Sequence, residues 1–467
     1  MSVVFKNLTS ENSISEKLVI AKFGGTSVAD YQSMLNCARI VSSNPSTRLV
    51  VVSASSGVTN LLVELTQAHV NDERRVQLLK EIAQIQYSIL DNLPQSQHLL
   101  VQIDQLLILM STLSESLILN RSKQVMDELL SIGEQCSSLL FNEVLKQQGE
   151  HSQVLDARQV MRTNDQFSAA EPDIEAISRL CQHELLPSLK ETRFVTQGFV
   201  GADEQGRTTT LGRGGSDYSA ALLAEALNAT TLEIWTDVAG IYTTDPRLAA
   251  NAKPIKEISF NEAAEMATFG AKILHPATIL PAVRKNIEVF VGSSRSPESN
   301  GTWIRTHVDN APIYRAVAVR RDQTLLNLHS LKMLHAQGFL AETFASLARH
   351  KISVDLITTS EVNVALTLDK TGSDSSGQQL LNDALLQELE QHCSVRIEDS
   401  LALVAIIGNN IPNTPGVCQQ IFDSLSDFNI RMSSQGASQH NMCVLVAEKD
   451  AAAVVQALHR NLFEGLS

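Results

Sequence analysis

The sequence is short of basic residues, and its cysteines do not cluster. Lysine and arginine together number 37 against 51 aspartates and glutamates, so the formal net charge is −14 at pH 7. Nucleic acid is excluded as the expected partner, because a phosphate backbone requires a basic surface. The six cysteines lie far apart, without a CxxC motif. They predict reduced, mostly buried thiols and neither a disulfide framework nor a zinc site.

Long apolar segments and two common nucleotide motifs are also missing. No uninterrupted apolar run approaches the roughly 18 residues that a membrane-spanning helix requires. Residues 1–16 are polar, without the apolar core of a signal peptide. These absences predict a cytoplasmic protein with no membrane partner. The motifs GxxxxGK[ST] and GxGxxG do not occur, which excludes P-loop NTPases and makes a nicotinamide dehydrogenase a poor match.

What the sequence does contain is a glycine-rich run between a strand and a helix. Lys22 to Ser27 reads KFGGTS and follows the apolar strand Leu18 to Ala21. Adjacent glycines at a strand end bring backbone N–H groups close to an anion, and the next helix start adds partial positive charge. With the Lys22 ammonium this combination suits phosphate, and the alternative is an ordinary α/β turn. We expect the helix to begin near Ser27, capped by its hydroxyl.

A second strand and a long helical region follow. Leu49 to Val52 precedes the hydroxyl-rich loop Ser53 to Thr59, which is predicted to open on the same sheet edge as the glycine turn. Between Asn60 and about Gln148 leucine recurs at helical spacing, which predicts three or four helices forming a side wall. Within them Glu134 follows Gly133. A solvated surface carboxylate is the ordinary interpretation, whereas the glycine favours close approach of another segment.

The most specific stretch is Gly212 to Tyr218, which reads GRGGSDY and precedes a predicted helix Ser219 to Leu227. It places a cation, Arg213, and an acid, Asp217, on either side of two adjacent glycines. The planar guanidinium of Arg213 suits a two-pronged contact with a carboxylate. Asp217 is also explained by the positive end of the helix dipole alone.

The next strand, Leu232 to Trp235, is followed by polar residues. Its end and the extended loop beyond it carry side chains that suit a nucleotide, namely Thr236, Asp237, Tyr242 and Arg247. The ring of Tyr242 is available for a base or for core packing. Lys272 adds a further cation, although a lone lysine ordinarily lies on the surface.

The order of the elements predicts the architecture. Strands and helices alternate to about Ser293, which indicates an open, mostly parallel α/β sheet with helices on both faces and ligands at its carboxyl edge. Residues 294–312, rich in Ser, Pro, Asn and Gly, predict a linker. Beyond it a βαββαβ pattern occurs twice, the second time without its last strand. Ile313 to Val319 is expected to supply that strand, so that the first repeat (322–399) is nested in the second (313–321 plus 400–467).

Together these features resemble the aspartate kinase family. The resemblance rests on the Lys22 and Gly212 runs, on Trp235-Thr236-Asp237 with Asp245-Pro246-Arg247, and on the tandem repeats, which resemble amino-acid-binding ACT domains. It covers Leu18 to about Phe463. It is greatest to the monofunctional, lysine-sensitive bacterial branch called aspartokinase III, since no homoserine dehydrogenase domain follows. It implies an amino-acid kinase domain at 18–293 after a tail at 1–17.

The resemblance implies transfer of the γ-phosphoryl group of ATP to the side-chain carboxylate of aspartate, with Mg²⁺ accompanying ATP. A free aspartate carboxyl has a pKa of about 3.9, so the nucleophile is already ionised and needs no general base. Lys22, on the transferring phosphate, and Asp217, orienting Lys22 or a bound water, are the implied catalytic residues. The implied aspartate-binding residues are Thr59, Glu134, Arg213 and Ser216. The implied ATP-binding residues are Lys22, Gly24, Gly25, Ser27, Thr236, Asp237, Tyr242, Arg247 and Lys272.

The resemblance also implies an inhibitory site for lysine in the first repeat. The implied residues are Met333, Phe339, Leu340, Ser353, Val354, Asp355, Thr359, Ser360 and Glu361. Asp355 and Glu361 suit the ammonium groups of lysine, and Met333 and Phe339 suit its methylene chain; a capping acid and core residues are the ordinary alternative. Because such a site spans two paired units, a homodimer is the smallest expected assembly, and a tetramer is compatible.

Two rival functions stay open on the sequence alone. One is another amino-acid kinase, acting on glutamate, acetylglutamate or a nucleoside monophosphate. Such an enzyme is not expected to combine this helical wall with tandem repeats. The other is a catalytically idle amino-acid sensor. The joint presence of Lys22, Arg213 and Asp217 counts against that function.

Overall fold

The structure, a computed structural model, describes residues 17–93, 97–212, 214–270, 276–309, 311–331, 338–369 and 381–464. The described residues fall into two compact units. The first unit contains the described residues up to Ala239 and those from Ala277 to Trp303. The second contains those from Gly240 to Pro276 and from Ile304 onward.

The elements alternate along most of the chain. The strands are β1 (Val19–Phe23), β2 (Thr47–Val52), β3 (Ser152–Leu155), β4 (Arg193–Gln197), β5 (Val200–Ala202), β6 (Thr208–Thr210), β7 (Thr231–Thr236), β8 (Glu257–Ser259), β9 (Glu288–Ser293), β10 (Thr302–Arg305), β11 (Tyr314–His329), β12 (Ser353–Thr359), β13 (Asn363–Asp369), β14 (Ser394–Gly408), β15 (Ile430–Gln435) and β16 (Asn441–Ala447). The helices are α1 (Tyr31–Ser43), α2 (Val58–Leu65), α3 (Asp72–Leu90), α4 (Gln97–Leu119), α5 (Lys123–Gln147), α6 (Ile174–Leu180), α7 (Gly215–Ala226), α8 (Phe260–Thr268), α9 (Pro276–Lys285), α10 (Phe339–Arg349), α11 (Asp383–Glu390), α12 (Val417–Ser424) and α13 (Ala451–His459).

A parallel sheet forms the centre of the first unit. Its strands run in the order β3-β4-β2-β1-β7-β9, and each neighbouring pair is parallel. All five residues of β1 are buried, as expected for a strand covered on both faces. Because the strands are parallel, the carboxyl ends of β1, β2 and β7 meet at one edge. The prediction that the loops after the first two strands open on the same edge is confirmed.

Helices cover both faces of this sheet. Side chains alternate along β1, so Ala21 and Phe23 point to one face and Lys22 points to the other. Ala21 and Phe23 join a core cluster with residues of α1 and α5, among them Met34 and Leu140. On the Lys22 face, α7 packs against β1, β2 and β7. The predicted open, mostly parallel α/β sheet is therefore confirmed.

The predicted helical wall consists of α2 to α5. The amide of Asn71 caps α3 by accepting the Arg74 N–H at 2.8 Å, which satisfies one of the free donors at a helix start. Leucine, isoleucine and methionine at helical spacing on α3 and α4 are buried in the same core cluster, for example Leu78, Ile82 and Met110. This wall therefore packs on the sheet through α5 and forms one continuous core with it.

The predicted start of the first helix at Ser27 is wrong. A short 3₁₀ turn, Gly25–Val28, comes first, and α1 begins only at Tyr31. Its cap is Asp30, whose Oδ1 accepts the Ser33 N–H at 2.7 Å. The Ser27 hydroxyl is not available as a cap, because it lies 2.7 Å from the Ser294 hydroxyl.

A six-stranded sheet in the order β12-β13-β11-β14-β16-β15 forms the second unit. Both halves of β11 pair with β14, with Val317 opposite Ile406 and Leu326 opposite Ile397, and the second half also pairs with β13, with Leu326 opposite Leu366. The first half of β11 contains most of the strand predicted at Ile313 to Val319, and the nesting of the repeats stays a prediction. The assignment of the domain boundaries stays a prediction.

Each repeat has its own core. Residues of β11 and β13 pack with α10 and α11 around Leu326, Leu366 and Leu385. Residues of β14 and β16 pack with α12 and α13 around Val404, Val444 and Val454. The segment predicted as a linker contains β10. Among the described residues, no helix is both long and apolar enough to span a membrane.

Candidate active site

Lys22 and Asp217 form a close ion pair at the edge where β1 ends. The Lys22 Nζ lies 2.5 Å from Asp217 Oδ1, and Lys22 is only 8% exposed. Asp217 lies in the first turn of α7, which begins at Gly215, earlier than the predicted Ser219. Because the pair is shielded from water, the attraction between its charges is stronger than it would be on the surface. The structure brings together the two residues named as catalytic.

The glycine turn after β1 packs tightly on the loop after β2. The Gly24 N–H donates to the Trp235 carbonyl at 3.1 Å. A Cβ on Gly25 would lie 2.7 Å from the Ala54 carbonyl oxygen, so that no other residue fits there without a shift. A Cβ on Gly24 would lie 3.6 Å from Lys22 Nζ. The Lys22 ammonium therefore lies beside the backbone of this turn, as the anion-binding interpretation requires.

Ser27 is buried beneath the turn and is 2% exposed. Its hydroxyl contacts the Ser294 hydroxyl at 2.7 Å and the Trp235 carbonyl at 3.4 Å. Ser294, directly after β9, donates in turn to the Thr236 carbonyl at 3.1 Å. The two serines therefore join the ends of β1, β7 and β9. The sequence did not single out Ser294, although its position at a strand end is a signal that would have found it.

Glu134 is buried beside the same edge and is 4% exposed. Burial raises the pKa of this carboxyl to about 8, against the opposing effects of a hydrogen bond from the Ala54 backbone and of the Lys22 charge. The adjacent Gly133 explains how α5 comes so close, because a Cβ there would lie 2.8 Å from the Ala54 side chain. A carboxylate held here by the fold suits a cationic group of a ligand.

The remaining candidates of the first unit lie at strand ends or helix starts. Thr59 is in the first turn of α2 and is exposed. Ser216, in the first turn of α7, packs against Gly198 just beyond β4. Thr236 ends β7, and its hydroxyl donates to the carboxylate of the exposed Asp237 at 3.2 Å. These side chains follow β2, β6 and β7, the strands from which the sequence predicted ligand contacts.

Two nucleotide candidates belong to the second unit, and two site candidates lie outside the described residues. Tyr242 pairs with Pro254 in an isolated bridge. The Arg247 guanidinium pairs with Asp245 at 2.6 Å and is largely exposed. Arg213 and Lys272 are not among the described residues, and neither is Met333 of the candidate lysine site.

The described lysine-site candidates lie on α10, on β12 and in the turn after it. Phe339 and Leu340 begin α10. Asp355, in the middle of β12, forms an ion pair with Arg320. The turn carries Ser360 and Glu361, both exposed. The remaining candidates on β12 are Ser353, Val354 and Thr359.

Sequence reasoning missed two charged side chains that touch candidate regions. Asp127, on α5, is fully buried and bonds Ser168 and Thr210. Arg320, on β11, contacts Asp355 and the carbonyl of Thr268. Neither residue lies in a glycine-rich run or at a strand end, so no local pattern marks it.

The described residues suit a divalent ion that arrives with a nucleotide. They contain no group of three or more His, Cys, Asp or Glu side chains that could hold a metal by themselves. Mg²⁺ ordinarily takes one or two carboxylates together with substrate phosphates and water. Among the described residues, Asp217 in the first turn of α7 and Asp237 directly after β7 offer carboxylates for such an ion.

Comparisons with known proteins agree with this arrangement. Residues 17–293 match the amino acid kinase family, and residues 404–462 match an ACT domain. The lysine-sensitive aspartokinase 3 of Escherichia coli K12 is 56% identical over 448 residues, covering 96% of this chain and 100% of the relative.

Two solved structures of the E. coli enzyme are similar over the same extent. Aspartokinase III in complex with aspartate and ADP, in the R-state, has a TM-score of 0.87 at 56% identity. The complex with lysine and aspartate, in the T-state, has a TM-score of 0.82 at 55% identity. Both comparisons cover 96% of this chain and 100% of the other. The chain therefore belongs to the amino acid kinase family and, within it, to the aspartokinases.

Proposed function

We propose that the protein transfers the γ-phosphoryl group of ATP to the β-carboxylate of L-aspartate, giving 4-aspartyl phosphate, and that L-lysine inhibits it. This reaction is the first step toward lysine, threonine and methionine. The observation that carries the proposal is the ion pair of the buried Lys22 with the half-buried Asp217, beside the glycine turn at the edge of a parallel sheet. The E. coli relatives, one of them solved with aspartate and ADP, support it.

The chemistry needs charge stabilisation and positioning, and it needs no base. The aspartate carboxylate is ionised at neutral pH, so the barrier comes from bringing one anion onto another. Lys22 places its ammonium where the transferring phosphoryl group gains negative charge, and Asp217 fixes that ammonium at 2.5 Å. Positively charged groups held in place before the reaction are the main source of rate in phosphoryl transfer.

ATP would be bound along the edge formed by β1 and β7. Gly24, Gly25 and Ser27 would line the phosphates beside Lys22, and Thr236 and Asp237 lie at the end of β7 next to that turn. Tyr242, Arg247 and Lys272 complete the proposed ATP-binding set. Mg²⁺ bound with ATP neutralises part of the charge on the phosphates.

Aspartate would be recognised through its two α-substituents. Glu134 offers a carboxylate for the α-ammonium group, and Arg213 offers a guanidinium for the α-carboxylate. Thr59 and Ser216 add hydroxyl groups from the first turns of α2 and α7. The two charged partners discriminate against substrates that lack either substituent, which disfavours acetylglutamate and nucleoside monophosphates.

Lysine would bind the first repeat, at the residues of α10, β12 and the following turn named above. The support is the lysine-sensitive relative and its structure with lysine, together with the acidic groups Asp355 and Glu361 on one segment. These side chains are partly or fully exposed, so one chain alone does not enclose the ligand. We propose a homodimer whose second copy completes the site; a tetramer built from such dimers is compatible.

One experiment tests the reaction and its regulation together. The protein is incubated with ATP, Mg²⁺ and aspartate, and hydroxylamine traps the acyl phosphate as aspartyl hydroxamate while lysine is titrated. Hydroxamate that disappears with lysine is the expected result. If no hydroxamate forms, the protein is not an aspartate kinase, and the alternative of a catalytically idle amino-acid sensor is favoured. Hydroxamate that forms from glutamate and not from aspartate would identify the other kinase, and insensitivity to lysine would remove the effector only.

A further inference from the structure

Asp127 is a fully buried carboxylate that the proposed chemistry does not use. Its Oδ2 accepts the N–H groups of Ser168 and Thr210, both at 2.9 Å, and its Oδ1 accepts the Thr210 hydroxyl at 3.0 Å. All three donors are neutral, and burial raises the pKa of the group. A buried carboxylate is costly unless its oxygens are hydrogen-bonded. Such a group therefore fixes the segments that supply its donors.

These donors lie at the entrance to the loop that carries the predicted aspartate ligands. Thr210 is the last residue of β6, three positions before Arg213. Ser168 has a left-handed backbone with φ of 76°, a conformation that costs energy for a residue other than glycine. Its carbonyl lies 3.6 Å from the position of a Cβ on Gly212. Asp127 therefore fixes the course of the chain as it leaves β6.

The same helix carries Glu134 seven positions further on. Seven residues are nearly two turns, so both carboxylates lie on one face of α5, about 10 Å apart along its axis. Glu134 faces the loop after β2, where Ala54 donates to it, and Asp127 faces the end of β6. The helix thus sets the distance between Glu134 and the end of β6.

We propose that Asp127 is a positioning residue for aspartate recognition, which holds the chain leaving β6, at Thr210 and Gly212, at a fixed distance from Glu134 on the same helix. This inference rests on the proposed function. Asp127 acts through Thr210 and Ser168 and does not touch the substrate. Its loss should weaken aspartate binding selectively, because the proposed phosphate ligands after β1 and β7 are held by other contacts, such as the hydrogen bonds of Ser294.

Steady-state kinetics of the full chain test this role, with aspartate and ATP varied separately. Asp127→Asn keeps the size of the side chain but removes its negative charge and turns one of its two acceptor oxygens into an NH2 donor, so that the hydrogen bonds from Ser168 and Thr210 become weaker or fewer. The KM for aspartate should rise about 10-fold, the equivalent of losing roughly one hydrogen bond, while the KM for ATP stays within about twofold.

Asp203→Asn is the matched control. Asp203 is also a buried aspartate that accepts two backbone N–H groups, those of Gln205 and Arg207, at the other end of the β5–β6 hairpin, and it differs from Asp127 in pairing with the Arg207 guanidinium at 2.6 Å. It should lower stability without changing the KM for aspartate. A KM for aspartate that is unchanged in Asp127→Asn, that rises together with the KM for ATP, or that rises equally in Asp203→Asn overturns the proposal.

A second pair of variants decides the matter if Asp127→Asn does not fold. Thr210→Val removes the hydroxyl donor at nearly constant volume, and Thr210→Ser keeps it. The KM for aspartate should rise about threefold in the valine variant only, since one of three hydrogen bonds is lost; equal values in both variants overturn the proposal. Failure of the proposed function is distinct, because the unmodified protein would then form no aspartyl hydroxamate.

Discussion

The two candidate sites differ in how much of each the single chain encloses. At the end of β1 the side chains are shielded by their own unit, with Lys22 at 8% exposure and Glu134 at 4%. In the first repeat the candidates for lysine lie open, with Leu340 at 39% exposure and Glu361 exposed. Phosphoryl transfer requires charges that are fixed away from water, and the burial of Lys22 and Glu134 within one unit meets this requirement. A regulatory site can be completed by a second copy of the chain, and its residues are exposed in the single chain for that reason.

The largest expected effect is the loss of the cation from the enclosed site. Lys22→Ala should lower kcat by about 10³-fold or more, because no other described side chain places a positive charge beside the glycine turn. Asp217 would also lose its partner. Hydroxamate formation at saturating ATP and aspartate measures the change.

Lys146→Ala is the control for Lys22→Ala, because Lys146 lies exposed near the end of α5. Its kcat should match that of the unmodified protein. A Lys22→Ala variant whose kcat lies within about tenfold of that value would contradict the catalytic role and with it the contrast between the two sites.

Removal of the buried carboxylate should come next in size. Glu134→Gln should raise the KM for aspartate on the order of 10²-fold, because an amide cannot ionise, whereas the Glu134 carboxyl loses its proton and pairs with the α-ammonium group when aspartate binds. The KM for ATP should change little. Glu128→Gln, which removes a half-buried charge from the same helix, should leave both values unaltered. A similar rise in the KM for ATP would show that Glu134 shapes the edge of the sheet instead of binding aspartate.

The enclosure of Glu134 should also appear in the pH dependence of stability. Burial raises its pKa from 4.5 to about 8, so the folded protein keeps a proton that the unfolded chain releases above pH 4.5. This contribution to stability is complete below pH 4.5 and is lost as the pH rises to about 8. Urea denaturation should show a flatter decline in the free energy of unfolding for Glu134→Gln over that interval. If the free energy of unfolding falls equally with pH in Glu134→Gln and in the unmodified protein, the raised pKa of Glu134 is contradicted.

Much of the enclosed site was predictable because its parts follow strands. Lys22 ends an apolar strand before two glycines, so the topology of a parallel sheet was enough to place it at the edge. Asp217 follows two more glycines, but the strand before it, β6, pairs antiparallel with β5 outside that sheet, so its contact with Lys22 depends on how α7 packs against β1. Ser27 shows where this reasoning fails. Its sequence context suits a helix cap, but its hydroxyl is hydrogen-bonded to that of Ser294, which lies 267 positions away in the sequence. The competing contact depends on tertiary structure and leaves no local signal.

Asp127 was not predictable for the same reason. It is one polar residue in a helix, and its donors lie 41 and 83 positions further along the chain. Which residues it meets depends on how α5 packs against β6. The predicted double repeat, in contrast, rests on element order, because the second repeat lacks its last strand and the apolar segment before the first repeat is the simplest source for it.

For the open site, removal of an exposed acid should affect inhibition. Glu361→Ala should raise the concentration of lysine for half-inhibition about tenfold, because one ammonium group of lysine loses its partner. Each rate is compared with the same variant's rate without lysine. Glu390→Ala, an exposed acid on α11 of the same repeat, is the control and should leave the half-inhibition concentration unaltered. An equal shift in both variants would show a general effect of charge.

The smallest expected effect concerns the contact between the open site and the rest of the second unit. The Arg320 guanidinium pairs with Asp355 and donates to the Thr268 carbonyl at 3.4 Å, at the last residue of α8. A lysine ammonium that binds Asp355 competes with Arg320 and is repelled by it. Arg320→Met should therefore lower the half-inhibition concentration about threefold, opposite in sign to Glu361→Ala.

The neighbouring Arg321 provides the matched control for the effect of Arg320→Met on the half-inhibition concentration, because Arg321 is exposed and Arg320 is not. Arg321→Met removes the same charge from the same strand but leaves the pair with Asp355 in place, so its half-inhibition concentration should stay within error of the unmodified value. If Arg320→Met requires more lysine instead of less, the arginine helps to bind the effector or to transmit its effect. The open site would then include β11 as well as α10 and β12.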